Sequence, residues 1–132
     1  MEYVKSFREL EVYKLSRQLS GEIFEVSKKF PKEEMYSLTD QIRRSSRSVG
    51  AQIAEAWAKR KYEKHFVSKL TDADGEQLET QHWIETALDC SYISMEAAKD
   101  LLSHCSSVGK MLNAMINKAD TFCNRLPLTD NR

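Results

Sequence analysis

Leu38 to Arg60, LTDQIRRSSRSVGAQIAEAWAKR, is the stretch that decides how this chain folds. At a helical step of about 100° per residue, Leu38, Ile42, Val49, Ile53 and Ala56 fall on one narrow stripe. The other positions are mostly small (Ser45, Ser46, Ser48, Gly50, Ala51, Ala54, Ala58) or basic (Arg43, Arg44, Arg47). Small side chains on two sides of a helix let neighbouring backbones come close, as the centre of a bundle requires. Opposite the apolar stripe, Ala51, Ala54 and Ala58 share a face with the three arginines, and that second face invites a second partner.

Upstream, Phe7, Leu10, Leu15, Leu19, Ile23, Val26 and Phe30 recur every three to five residues and predict a first amphipathic helix of about six turns. Gly21 inside it costs about 1 kcal/mol relative to alanine, which a close helix crossing would offset. Pro31 stops the pattern, and Ser37 is positioned to cap the second helix, with Asp40 in its first turn. Glu55 and Lys59 form a favourable pair one turn apart near its end.

Downstream, residues 59–64 form a basic connection. A third helix carries Phe66, Leu70, Ala73, Gln77, Ile84 and Leu88 on its stripe, with buried amides at Gln77 and nearby Gln81 that need partners. The stripe keeps phase across Gly75, which favours one continuous helix over a turn at Asp72–Gly75. A connection near Ser91–Ser94 follows, with Ser94 as N-cap, and a fourth helix runs from Met95 to Phe122. The expected architecture is all-α: an antiparallel, up-down-up-down four-helix bundle in residues 1–124, with a flexible tail at 125–132.

Composition narrows the function classes. A 41% hydrophobic, 30% charged chain with two prolines and four glycines suits a helical protein better than a sheet or a disordered chain. No run reaches the roughly 18 apolar residues of a membrane span, and the N-terminus lacks a signal-peptide core, so the expected location is cytoplasmic. Cys90, Cys105 and Cys123 read as reduced, buried thiols. Twenty basic and twenty acidic side chains balance overall but not locally: residues 41–64 carry seven basic and two acidic groups, residues 65–105 two basic and eight acidic.

Catalysis finds little support. Glu79-Thr80-Gln81-His82 has the E-x-x-H spacing of di-iron bundles, but a second copy and two further inward carboxylates are missing. There is no nucleophile elbow and no phosphate loop, so neither an enzyme, a metal, a cofactor nor a small-molecule substrate is expected. The basic cluster Arg43, Arg44, Arg47, Lys59, Arg60, Lys61 and Lys64 has two readings. One is a face neutralised by Asp72, Glu76 and Glu79; the other is phosphate contact with nucleic acid. Trp83, an aromatic on that acidic outer face, reads as an interface anchor. The expected oligomer interface is therefore Ala51, Ala54 and Ala58 with Arg43 and Arg47 of one subunit, against Asp72, Glu76, Glu79 and Trp83 of another.

Several motifs resemble one family. Phe7-Arg8-Glu9-Leu10-Glu11-Val12-Tyr13, Phe30-Pro31 with Glu34 and Tyr36, Gln41-Ile42-Arg43-Arg44-Ser45-Ser46, Ser48-Val49 and Ile53-Ala54-Glu55 are similar to the bacterial four-helix-bundle proteins encoded within intervening sequences of 23S ribosomal RNA genes. The retroelement accessory variability proteins are a related branch. The resemblance covers residues 7–120 and is strongest in 30–60. It departs at Gln52, where the family usually has Asn, at Ala56, where Gly is usual, and at Gly50, where Pro is common. It implies a bundle assembling as a ring, a homopentamer, with a link to ribosomal RNA. The retroelement branch implies an accessory protein that binds nucleic acid and reverse transcriptase through a strongly basic surface, which a zero net charge disfavours.

Overall fold

A computed structural model describes residues 4–123; the expected tail at 125–132 lies outside the described residues. Four long helices, α1 (Glu11–Ser27), α2 (Leu38–Ala58), α3 (Glu63–Asp89) and α4 (Met95–Asn117), are followed by a single turn, α5 (Ala119–Phe122). Each long helix packs against two others: α2 lies between α1 and α3, and α4 closes the arrangement against α1 and α3. No strand occurs among the described residues.

The stripe of α2 is buried as its spacing predicts, with Ile42, Val49 and Ile53 at 1% exposure or less. Helix α3 runs unbroken through Gly75. The first helix is shorter than expected. Ser6 accepts the Arg8 N–H and organises a separate 3-10 turn at Phe7–Glu9, and Leu10 is extended, so α1 starts only at Glu11 and has 17 residues. Lys118 likewise leaves helical geometry and divides α4 from α5.

The core falls into two apolar clusters with a polar layer between them. Around one end of the bundle Val12, Val49, Ile53, Phe66, Leu70 and Leu112 pack together; around the other, Leu19, Ile23, Ile42, Ile84, Leu101 and Cys105. Between them α1 contributes buried Ser16, α2 Ser45 and Ser46, and α3 Gln77 and Thr80. Each is satisfied, as buried polar groups must be. The Ser45 and Thr80 hydroxyls meet at 2.8 Å, and Thr80 donates to the Glu76 carbonyl at 2.8 Å. Gln77 donates to Asp74 at 2.9 Å and accepts from Gln81 at 2.8 Å, which supplies the partners those amides need.

At the connections, Ser94 caps α4 by accepting from the Ala97 N–H. Ser37 makes no cap for α2. Glu34 does this instead: one carboxylate oxygen accepts the Leu38 N–H at 3.3 Å and the Ser37 hydroxyl at 2.7 Å. Its other oxygen accepts the Tyr92 hydroxyl at 2.8 Å, tying the first connection to the third. These hydroxyls hold the Glu34 carboxyl below its ordinary range, and the carboxylate pushes Tyr92 up to about 12. Glu55 pairs at 2.8 Å with Lys69 across the α2–α3 contact and not with Lys59 along its own helix. Two of the three thiols are buried as expected; burial pushes Cys105 up to about 12, whereas Cys90, at the end of α3, is exposed.

The glycines sort themselves by neighbour. Gly21 has open space around it, so no crossing compensates for it. The close approaches are at Gly50, where an added Cβ would stand 3.2 Å from Ser16 Oγ, and at Gly109, where it would stand 2.8 Å from the Gln77 amide nitrogen. Alanine at Gly21 or Gly75 should therefore raise stability by about 0.5–1 kcal/mol, since both sites are helical and open. Gly109→Ala should lower it by about 1 kcal/mol, because it drives the Gln77 amide off Asp74. Thermal melts of the three variants would show the opposite signs.

Candidate interaction surfaces

The face of α2 opposite its apolar stripe opens onto a groove of about 430 Å³ between α1 and α2. Tyr13, Ser16, Arg17 and Ser20 of α1 form one wall, Ser46, Arg47, Gly50, Ala51 and Ala54 the other, and Phe7 closes one end. Small residues on α2 make the hollow: Ala51 is exposed and Ala54 half-buried, and neither fills the space toward α1. The walls are held in place. Phe7 packs edge-on against Tyr13 with ring centroids 4.9 Å apart, and the Arg17 guanidinium donates to the Tyr13 hydroxyl at 3.2 Å. Ala58, one turn beyond, is exposed outside the groove lining.

The arginines of α2 divide by direction. Arg43 turns toward α1, donating to Ser27 Oγ at 2.7 Å with its guanidinium 4.7 Å from the centre of the Phe24 ring. Arg47 lies 5.5 Å from the same ring while lining the groove. Arg44 turns the other way, to α3, where its two terminal nitrogens meet Glu76 at 3.3 Å and Glu79. Trp83 donates its indole N–H to the same Glu79 oxygen at 3.0 Å. The indole N–H, and then Arg44, hold the Glu79 carboxyl below its ordinary range.

Several of the expected interface residues have partners within their own chain. Glu76 and Glu79 are paired with Arg44 of their own chain, and Trp83 donates to Glu79 and packs on the core. Arg43 is committed to α1. Only Asp72 of the acidic set stays exposed without a hydrogen bond among the described residues, its charge felt by Lys69. The sequence reading missed Phe24, Tyr13, Arg17 and Phe7. An aromatic off the apolar stripe was the available signal at Phe24, the same one that marked Trp83.

The remaining basic residues sit at the α2–α3 connection. Lys59, Lys61 and Lys64 are exposed, and none has a carboxylate within salt-bridge distance among the described residues. Arg60 lies over Trp57, 3.7 Å from its ring centre, and donates to the Trp57 carbonyl at 2.9 Å. Among the described residues no group of three or more His, Cys, Asp or Glu side chains is placed to hold a metal, and no helix is long and apolar enough to cross a membrane.

The sequence model of a family described as 23S rRNA-intervening sequence protein matches residues 8–114. A solved structure from Bacteroides thetaiotaomicron, described as a protein with unknown function from the S23 ribosomal protein family, is similar at a TM-score of 0.73 and 28% identity. The match covers 80% of this chain and 95% of that one. No curated protein matches the chain.

The Glu79 pairing sets a pH dependence. A carboxyl whose folded pKa is depressed adds stability above its unfolded pKa, and that stability is lost as pH falls through the folded value. Glu79→Gln keeps an acceptor for Trp83 but removes the charge facing Arg44. Urea titrations should show it less stable than wild type at pH 7, with the difference disappearing as pH falls through the depressed value of the Glu79 carboxyl.

Proposed function

The chain belongs to the 23S rRNA-intervening sequence protein family, and from that premise we propose that it is a non-enzymatic, cytoplasmic bundle that assembles with copies of itself through the α1–α2 groove. The helix order that supports this is antiparallel, up-down-up-down: Ser27 pairs with Arg43 and Ser16 with Gly50, while Glu79 pairs with Arg44 and Lys69 with Glu55. Residue numbers run in opposite senses across the α1–α2 and α2–α3 pairs.

The groove carries the reading. It is a concave, alanine-floored surface with two cations, Arg17 and Arg47, and no carboxylate in its lining. Exposed acidic groups in plenty lie on α3 and α4, at Asp72, Glu85, Asp89 and Asp100. A groove met by a different surface of the next copy makes a heterologous contact, which closes into a ring when the rotation permits. The family resemblance favours five subunits. Binding is preferred over catalysis because the carboxyls with displaced pKa values, Glu34, Glu55 and Glu79, are each tied to a cap or an ion pair.

Light scattering tests the assembly. The wild type should have a multiple of the 15.3 kDa protomer mass, and Ala54→Glu, which fills the groove with a longer charged side chain, should return it to the protomer. Reversing Arg17 and Arg47 together should weaken it as well. Arg43 is unsuitable for this test because it supports the α1–α2 contact. A monomeric wild type, or an assembly indifferent to Ala54→Glu, overturns the proposal.

A second reading has its own observation in the lysines of the α2–α3 connection, none of which has a carboxylate within salt-bridge distance among the described residues. They favour contact with RNA phosphates. Binding should weaken as salt rises, and reversing Lys61 and Lys64 should reduce the slope of log K against log salt by about one for each phosphate no longer neutralised. The retroelement alternative needs a strongly basic surface overall, and twenty acidic against twenty basic side chains disfavour it.

A further inference from the structure

The connection between α2 and α3 brings together more than charge. Within seven residues, 59–65, it holds four cations and one carboxylate, Glu63, which is exposed. Tyr62, at the N-terminal boundary of α3, is 61% exposed, and its hydroxyl makes no hydrogen bond among the described residues. Its ring stands 5.6 Å from the His65 ring, centre to centre, at 43°. Two residues before Tyr62 in the chain, the Arg60 guanidinium lies over Trp57, held by the bond from Nε to the Trp57 carbonyl.

Tyr62 leaves most of its ring in water among four cations, where the ring is open to a stacking partner. Neither the cap nor the core explains it: Tyr62 makes no side-chain cap for α3 and belongs to neither apolar cluster. Flat cationic and aromatic surfaces interleaved with lysines are what a single strand recognises, since every base has a π-face to stack and every nucleotide a phosphate to neutralise. A duplex presents phosphates alone at such a tip, because its bases are already stacked.

We propose that the α2–α3 connection binds single-stranded RNA, with an unpaired base stacked on Tyr62 and neighbouring phosphates met by Lys59, Lys61 and Lys64. The layered Arg60–Trp57 pair offers a second stacking surface. This rests on the RNA reading above and narrows it from RNA in general to unpaired strands.

The test is fluorescence anisotropy with the full chain, a labelled 12-nucleotide single-stranded RNA of mixed sequence, and a duplex of the same length. Tyr62→Ala should weaken single-strand binding by roughly tenfold and leave duplex binding unchanged, while Tyr62→Phe, which keeps the stacking ring, should match the wild type. Tyr62 touches no core cluster, so these variants are expected to melt like the wild type. If Tyr62→Ala binds the single strand as well as wild type does, while reversing Lys61 and Lys64 weakens both RNAs, the stacking inference fails and the broader RNA reading stands. If the wild type binds neither RNA, both fail.

Discussion

The hydrogen bond between Ser45 and Thr80, buried at mid-bundle, is the constraint on which the rest depends. Apolar stripes alone pull α2 and α3 together but tolerate sliding, since one leucine-sized residue replaces another at small cost. A buried hydroxyl does not tolerate it. Sliding α3 by the turn that brings Ile84 opposite Ser45 would break the Ser45–Thr80 bond and cost about 1–3 kcal/mol. Nearby, the lack of a side chain at Gly109 lets α4 close on the Gln77 amide, and Gly50 does the same for α1 against Ser16. All four helices are thus indexed at one level, and the apolar clusters above and below fill in around it.

Indexing at that level determines which charges are used up. With Ser45 opposite Thr80, Arg44 falls opposite Glu76 and Glu79, and Gln52 and Glu55 fall opposite Lys69. On the other flank Arg43 reaches Ser27 and shares the Phe24 ring with Arg47 and Lys28. The basic second helix is therefore partly satisfied by its own chain, while Arg47 in the groove and the lysines of the α2–α3 connection have no salt bridge among the described residues. Each exposed ion pair adds little stability alone. Their larger effect is to settle where unspent charge remains.

Much of this was legible in the chain. The α2 stripe, the continuity of α3 through Gly75, the cap at Ser94 and the need for partners at Gln77 follow from spacing and from rules that hold within one helix. What spacing could not supply was direction across helices. Arg43, Arg44 and Arg47 lie within about 100° of one another on the helical wheel, and only the neighbours decide that Arg44 turns to α3 while the others turn to α1. The same gap hid Glu34, whose carboxylate takes the cap expected of Ser37 because it also reaches Tyr92, 58 positions away in the chain. It hid the groove too, since the α1 wall becomes visible only when Tyr13 and Arg17 are set against Ala51 and Ala54.

The groove and the basic connection occupy different parts of the bundle, one along its flank and the other at its end, so the two proposed roles do not compete for residues. Cyclic symmetry adds a consequence. In a ring built through the groove, equivalent points of every subunit lie in one plane, and all the α2–α3 connections share a rim. A tip with three lysines and one stacking ring is a weak site alone. Several tips on one rim, engaged by a single flexible strand, gain from effective concentration, and avidity of that kind can exceed the affinity of one tip by about 10²–10⁴-fold. Such a ring needs no large net charge on the chain, because repetition concentrates the lysines of the α2–α3 connection on one rim. Twenty acidic and twenty basic side chains are then compatible with a polyanion partner, provided the indexing at Ser45 and Thr80 leaves Lys59, Lys61 and Lys64 free.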